Sequence, residues 1–343
     1  MRHSGKALSR RSILAAASLL AAPAMIGTAR AEATTVRLSH GFGIHYLPLM
    51  VIRDRRLLEK HAARLGLGAL DVSWRIIDGG SSINDAMISG ALDIAGLGAP
   101  GFITLWSKAR NLPKTAVVGV AGLGKGALWL DTNKASIKTL RDFGPHDKIA
   151  VPGIKTSFAA VVLQMAAARE FGIAHYDQLD SLTVGLSHPD ATAALISGKT
   201  ELTAHMASPP FSNREVAAPN VHRIFSTSEI LGPITIDVVY AARRFADANP
   251  RIMEAFVAAM DEASESIAPD KSGAADAFLR QSEVSMKKEA VLELLNDPET
   301  SFATTPEGVM AYAKFLGQIG AIKVVPEKWS DMFIAQIGDR HGS

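Results

Sequence analysis

The chain has 343 residues, of which 48% are hydrophobic, and a formal net charge of +2. The first 31 residues hold five of its 36 Lys and Arg and none of its 34 Asp and Glu, which leaves 31 basic against 34 acidic residues in the remainder. That balance excludes a general electrostatic attraction to nucleic acid, and no later segment is apolar enough to span a membrane. The absence of cysteine excludes thiol catalysis and cysteine-ligated metal.

Residues 1–31 have the pattern of an export signal. A basic beginning precedes a short apolar run, and residues 29–31 have the A-x-A form of a cleavage site. We therefore expect cleavage after Ala31 and a mature protein in the periplasm. Arg10 and Arg11 resemble a twin-arginine signal, although an ordinary secretory signal with a chance arginine pair is the alternative.

From Thr34 onward, strand-like and helix-like segments alternate, which favours an α/β fold with parallel sheets flanked by helices. The first series has predicted strands at TTVRLSH, LDVSWRIID, LDIAGLG and KTAVVGVAG, and predicted helices at LPLMVIRDRRLLEKHAARLG, SSINDAMISG and PGFITLWSKAR. The first of these helices is expected to run unbroken to Gly66. Ser82 and Asp85 have the spacing of a capping box, and Pro100 suits the first turn of a helix.

A second series begins after Gly122. Its predicted strands are GALWLD, KIAVPG, LTVGL, TELTAHM and VHRIFST, and its predicted helices are TSFAAVVLQMAAAREFG, PDATAALISG and PPFSNREVAA. GPITIDVVYAARRF supplies one more strand after Gly232, and the sequence from Asn249 to the end is helical in pattern.

One corner of the sequence occurs twice. ISGALDIAGLGAP at 88–100 and ISGKTELTAHMASPP at 196–210 each predict the end of a helix, a strand and a loop that opens another helix. Ligands of open α/β sheets bind beyond the carboxyl ends of strands. We therefore expect the loops at Gly98-Ala99 and at 205–208 to be two halves of one site, although any two α/β units share some likeness.

LPLMVIRDRRLLEKHA, GGSSINDAMISGALDIAGLGAP and IAVPGIKTSFAAVVLQMA resemble periplasmic substrate-binding proteins of ABC importers, in the branch for nitrate, taurine, alkanesulfonates and thiamine pyrimidines. The resemblance implies the type II periplasmic binding-protein fold, with two α/β lobes that close on a ligand. It places lobe 1 at 32–122 plus 233–343 and lobe 2 at 123–232. The crossings would lie near 121–125 and 230–234, where glycines suit a hinge.

Helix N-termini are candidate binding positions because their free N–H groups attract anions. The resemblance implies ligand contacts at Ser81, Ser82, Thr156 and Ser157, and the repeated corner adds Ser208. Plain N-capping is the alternative function of these hydroxyls.

Histidine and tyrosine near the predicted strand ends complete the candidate site. We expect His40, Tyr46 and His205 to contact the ligand, with His205 in the loop of the second repeat. A metal site made by these histidines and His45 is the alternative, but the sequence lacks the His-rich acidic tract typical of exported zinc-binding proteins. We expect no metal and no cofactor.

Enzyme motifs are absent, since the sequence has no G-x-S-x-G, G-x-x-x-x-G-K-[ST] or H-E-x-x-H. The resemblance instead implies a monomer that captures a small anionic or polar organic solute and delivers it to an ABC permease with its ATPase. It would contact the membrane only through that permease. A ligand-sensing module for a membrane receptor is the alternative. Lys125 and Lys155 could neutralise an acidic ligand, although a lysine flanked by glycine is more often solvated.

Overall fold

The computed structural model describes Met1 and residues 32–232 and 234–343, so the predicted export signal lies outside the described residues. Its strands, in chain order, are β1 (Thr35–His40), β2 (Asp71–Ile76), β3 (Ile94–Gly98), β4 (Val117–Lys125), β5 (Trp129–Thr132), β6 (Ile149–Val151), β7 (Thr183–Gly185), β8 (Ala204–Ala207), β9 (His222–Ser226) and β10 (Thr235–Ala242). They form two five-stranded sheets, in the orders β2-β1-β3-β10-β4 and β7-β6-β8-β5-β9. The two-lobed α/β fold predicted from the sequence is confirmed.

The two sheets have the same plan and are mixed rather than wholly parallel. Strand β1 pairs in parallel with β2 and β3, and β6 pairs in parallel with β7 and β8. In each sheet a strand from a crossing runs antiparallel to its neighbours, β10 in the first and β5 in the second. The parallel prediction fails at these strands because alternation along the sequence does not reveal that a strand from a crossing is inserted into each sheet, β10 between β3 and β4 and β5 between β8 and β9.

The helices follow the predicted segments closely. They are α1 (Leu47–Arg55), α2 (Leu57–Arg64), α3 (Gly80–Ser89), α4 (Ala99–Ala109), α5 (Phe158–Phe171), α6 (His188–Ser197), α7 (Phe211–Val216), α8 (Ser228–Leu231), α9 (Arg243–Ala248), α10 (Pro250–Ile267), α11 (Lys271–Gln281), α12 (Lys288–Asn296) and α13 (Val309–Gln318). Helices α10 and α11 pack against α1, and α10 also packs against α2, so the C-terminal segment returns to the first lobe as expected. No helix within the described ranges is both long and apolar enough to cross a bilayer.

Two local predictions about helices are wrong. The helix expected to run to Gly66 breaks at Arg56, which has φ 51 and separates the deeply buried α1 from the more exposed α2. The capping box of Ser82 and Asp85 does not form, because α3 begins one turn earlier with Gly79 as its N-cap.

The first crossing between the sheets lies after the predicted position. Strand β4 continues to Lys125, so the chain crosses at 126–128 and returns at 227–234. Gly122 lies inside the strand, where its N–H donates to the Thr304 carbonyl at 2.8 Å. A Cβ there would stand 3.1 Å from the carbonyl oxygens of Ala303 and Thr305, so this glycine permits a close backbone approach within the first lobe.

The repeated corner occupies equivalent places in the two sheets. Its strands, β3 and β8, each lie between a parallel neighbour and the antiparallel crossing strand. The preceding helices both end at a left-handed glycine, Gly90 and Gly198. The matching acids do not share a role, because the buried Asp93 forms a salt bridge at 2.6 Å with the partly exposed Arg37, while Glu201 is exposed.

Candidate ligand-binding site

A cavity of about 50 Å³ lies between the two sheets. Most of the residues that line it lie at or just after the carboxyl ends of the six strands that pair in parallel, namely β1, β2, β3, β6, β7 and β8. The side chains with polar or aromatic chemistry in its wall are Phe42, His45, Tyr46, Asp78, Ser157, Phe158, His188, Ser208 and Asp237. This position agrees with the rule that ligands of open α/β sheets bind at strand ends.

Asp237 is a buried carboxylate in the cavity wall. It lies on β10, where its Oδ1 accepts a hydrogen bond from the Tyr46 hydroxyl at 3.0 Å. The Nδ1 atom of His45 is 4.0 Å from its Oδ2. Burial raises the pKa of Asp237 to about 7, and burial lowers the pKa of His45 to about 4, so His45 is neutral at pH 7.

Asp78 joins the two lobes at the cavity. It follows β2 in the first lobe, and its Oδ1 accepts the N–H of Gly79 at 3.1 Å. Its Oδ2 accepts the backbone N–H of His188, from the second lobe, at 3.1 Å. The charge of Asp78 acts on both neighbours. It adds to the rise in the pKa of Asp237 that burial causes, and it opposes the lowering of the pKa of His188 that burial causes. The two carboxylates and the imidazole therefore surround one region of the cavity.

His188 is held by a chain of buried hydrogen bonds that fixes its tautomer. Oε1 of Glu215 accepts from the Thr192 hydroxyl at 2.7 Å and from Nδ1 of His205 at 2.6 Å. With its proton on Nδ1, His205 accepts at Nε2, and its partner there is Nδ1 of His188 at 2.9 Å. His188 therefore carries its proton on Nδ1 and keeps Nε2 as an acceptor. The ring of Phe211 stacks on His188 with centroids 5.6 Å apart.

Asp131 supports the far end of this chain. Neither of its carboxyl oxygens, nor Oε2 of Glu215, has a hydrogen-bond donor among the described residues. A proton shared between the two carboxyl groups supplies the missing bond. Burial raises the pKa of both carboxyl groups, and it raises that of Asp131 further, so the proton of the pair lies on Asp131.

The N-terminus of α5 forms another part of the wall. Ser157 is its N-cap, and the Ser157 hydroxyl accepts the N–H of Ala160 at 3.2 Å. Ser157, Phe158 and Ala159 all line the cavity. None of the described residues lining the cavity is Lys or Arg. Lys125 pairs with Glu307 at 2.6 Å and Lys155 lies 3.8 Å from Asp180, so neither is a wall residue.

Four of the sequence-predicted site residues line the cavity. They are Tyr46, Gly98, Ser157 and Ser208. The Ser208 hydroxyl is buried without a hydrogen-bond partner among the described residues, so it is free to bond a ligand. The two members of the repeated corner, Gly98 and Ser208, thus meet across one cavity.

The other predicted contacts lie outside the wall. Ser81 and Ser82 are exposed on α3, whose first residues turn them toward solvent. Ala99 is buried within α4, and Thr156 packs against Gly80 where the lobes touch. The remaining two are His40, which bonds the carbonyl of Gly41 at 2.8 Å, and His205. His205 is in strand β8 and not in the following loop, so it lies one layer behind His188.

Sequence reasoning missed the acidic and imidazole groups of the wall. Asp78 and His188 follow strands β2 and β7, so the same strand-end rule would have identified them. Asp237 gives no such signal, because it lies within an apolar strand whose insertion between β3 and β4 only the fold reveals. His45 follows His40 by five residues, and the sequence alone gives it three open interpretations: a metal ligand, a neutral hydrogen-bond partner or a loop residue.

Comparisons with known proteins support the fold. No protein-family model matches the sequence, and no curated protein is significantly similar to it. Among solved structures, it is similar to the alkanesulfonate-binding protein SsuA from Xanthomonas axonopodis pv. citri bound to MOPS, with TM-score 0.66, 17% identity and coverage of 86% of this chain and 96% of that one. It is also similar to the aliphatic sulphonate binding protein SsuA from Escherichia coli, with TM-score 0.60, 18% identity and coverage of 86% and 90%.

A third similar structure is the periplasmic nitrate-binding protein NrtA from Synechocystis PCC 6803, with TM-score 0.67 and 13% identity. The match covers 85% of this chain and 83% of that one. At these identities the likeness concerns architecture, and it agrees with the strand orders and the cavity described above. The chain therefore has the two-lobed fold of the periplasmic binding proteins.

Proposed function

We propose that the protein is the periplasmic solute-binding component of an ABC-type importer, and that it delivers its ligand to a membrane permease with its ATPase. The observation that carries the proposal is the cavity between the sheets, to which segments from both lobes contribute polar side chains. The binding proteins similar in fold add support, since they are sulfonate-binding and nitrate-binding proteins.

Capture would occur by closure of the lobes. In the described structure the lobes already touch, since the N–H of Ile44 in lobe 1 donates to the Pro209 carbonyl of lobe 2 at 3.0 Å. The bond from His188 to Asp78 adds a second link across the cleft. A cavity of about 50 Å³ accommodates only a compact ligand at this degree of closure, equivalent to roughly four waters.

Within this function, the ligand we propose is a small polar organic compound such as a taurine-like, sulfonate or pyrimidine solute. The protein would act without catalysis and as a monomer. The alternative role of a ligand-sensing module for a membrane receptor is not favoured by the similar structures.

A ligand screen on the purified protein tests the proposal. A ligand at about 100 times its dissociation constant should stabilise the folded state by roughly 2.7 kcal/mol, which a thermal-shift assay detects. The bound ligand should be recovered unchanged, and small-angle scattering should show a more compact particle. Chemical conversion of the ligand, or a scattering profile unchanged by a ligand that calorimetry shows to bind, would contradict the proposal.

A further inference from the structure

The wall of the cavity is rich in hydrogen-bond acceptors and holds no cationic side chain among the described residues. Asp78 and Asp237 both line it, and Asp237 is only 5% exposed. The ionised form of Asp237 has a single hydroxyl donor, Tyr46, and a neutral histidine 4.0 Å away. A buried carboxylate without a cationic partner is costly, so this wall gains stability when a positive charge enters.

His188 adds a third acceptor. Because Glu215 holds the proton of His205 on Nδ1, and His205 in turn accepts from Nδ1 of His188, the remaining nitrogen of His188 is a lone-pair acceptor. His205, Glu215 and Asp131 are thus arranged so that His188 accepts a hydrogen bond in the cavity rather than donating one. A negatively charged ligand oxygen would be repelled by the lone pair on Nε2 of His188, whereas a ligand N–H would donate a hydrogen bond to it.

The aromatic residues of the wall favour the same kind of ligand. Phe42, Tyr46 and Phe158 line the cavity together with the carboxylates. The negative faces of aromatic rings attract cations, and the attraction grows when both are removed from water. The hydrogen-bond acceptors, the negative charge and the aromatic rings of the wall therefore all favour a ligand that carries a positively charged group.

We propose, resting on the binding function above, that the cavity selects small solutes bearing a protonated N–H group, which donates to Asp237, Asp78 and Nε2 of His188. An acidic group elsewhere on the same solute would lie toward the start of α5, whose residues Ser157, Phe158 and Ala159 line the cavity. The solute class is therefore a small amine, amidine or zwitterion and not a simple anion.

Two matched ligand pairs test this by titration calorimetry with the purified protein. The pairs are 2-aminoethanesulfonate against ethanesulfonate, and benzamidine against benzamide, each differing in the cationic nitrogen. We expect the nitrogen-bearing cation to bind at least about tenfold more tightly than its partner in one or both pairs, since hydrogen bonds to charged groups are the stronger ones.

The variant Asp237→Asn identifies the group responsible. It keeps the shape of the side chain and removes its charge, so the preference within each pair should fall by about tenfold or more. The exposed Asp247→Asn makes the same change of net charge outside the cavity and should leave the preference unchanged. Circular dichroism and the unfolding midpoint confirm that both variants fold.

The possible results separate the two proposals. Equal or tighter binding of the compound without the cationic nitrogen in both pairs overturns the cation selectivity but leaves the solute-binding function standing. An unchanged preference in Asp237→Asn overturns the assignment of the charged group. If neither member of either pair binds at 10 mM, the cation selectivity is overturned, and a broader screen without any binding ligand would then overturn the proposed function as well.

Discussion

Asp237 makes binding depend on pH. Burial raises its pKa to about 7, the charge of Asp78 adds to the rise, and the Tyr46 hydroxyl opposes it. The other ring facing it, His45, has a pKa of about 4 and stays neutral above pH 5. Benzamidine remains charged throughout, so its affinity should fall by up to about tenfold for each pH unit below 7 as Asp237 takes up a proton. Calorimetry between pH 5.5 and 8.5 measures this.

The variant Asp237→Asn serves as the control, since its affinity should not vary across that range. Stability supplies a second check with a defined sign. The pKa of Asp237 is higher in the folded than in the unfolded state, so its protonated form contributes to the stability of the fold at low pH. That contribution is lost as the pH rises through about 7. The variant should therefore gain in unfolding midpoint relative to the parent between pH 4 and pH 8. A constant difference between the two proteins would show that Asp237 titrates normally.

Gly98 lies where the two lobes are in close contact. Its φ of −49 suits any residue, but a Cβ there would stand 2.9 Å from the Cβ of Phe158 and 3.1 Å from its nitrogen. Gly98→Val should thus hold the lobes apart and abolish ligand binding, while each lobe keeps its core and the unfolding midpoint stays within a few degrees. Gly144→Val, outside the cavity, is the matched control and should bind normally. Full affinity in Gly98→Val would mean that closure does not bring these residues together.

At the scale of elements, β8, α6 and α7 are joined by the buried chain His188–His205–Glu215. Replacing His205 with Ala removes the partner of His188 and one of the donors to Glu215. We expect a loss of about 1 to 3 kcal/mol in the free energy of unfolding, because buried polar groups are left unpaired. Binding should weaken through the released His188, although His205 itself does not line the cavity.

Urea unfolding and benzamidine calorimetry measure these two losses separately. His175→Ala is the control, since His175 is exposed. An unchanged stability in His205→Ala would show that the buried chain contributes nothing to the fold.

The elements themselves were largely predictable, and their side-chain directions were not. Periodicity located β3, β8 and their helices, and Gly98 and Ser208 from the repeated corner both line the cavity, while their contact with a ligand stays a prediction. His205 was misplaced because the strand continued past it, and alternation along that strand turned it inward. Ser81 and Ser82 failed for a similar reason, since one turn of α3 decides whether a hydroxyl faces the cleft or water.

At the scale of the whole molecule, we expect transport across the inner membrane to depend on the predicted export signal, which lies outside the described residues. If Arg10 and Arg11 form a twin-arginine signal, changing both to Lys should trap the precursor in the cytoplasm. Cell fractionation followed by immunoblotting measures the cytoplasmic precursor and the exported protein. Arg30→Lys replaces an arginine outside the pair and is the control. Efficient export of the double variant would assign the protein to the general secretory route instead.

The insertion of β10 between β3 and β4 also sets the order in which a growing chain can finish its parts. The sheet with β5 to β9 needs only residues 129–226, so it can assemble as soon as that stretch has been synthesised. The sheet that begins at Thr35 stays open until residues 235–242 arrive, with β3 and β4 unpaired along the edges that β10 later fills. The sheet that begins nearest the N-terminus is therefore the last that can be completed, and until then β3 and β4 expose backbone groups that could pair with another chain.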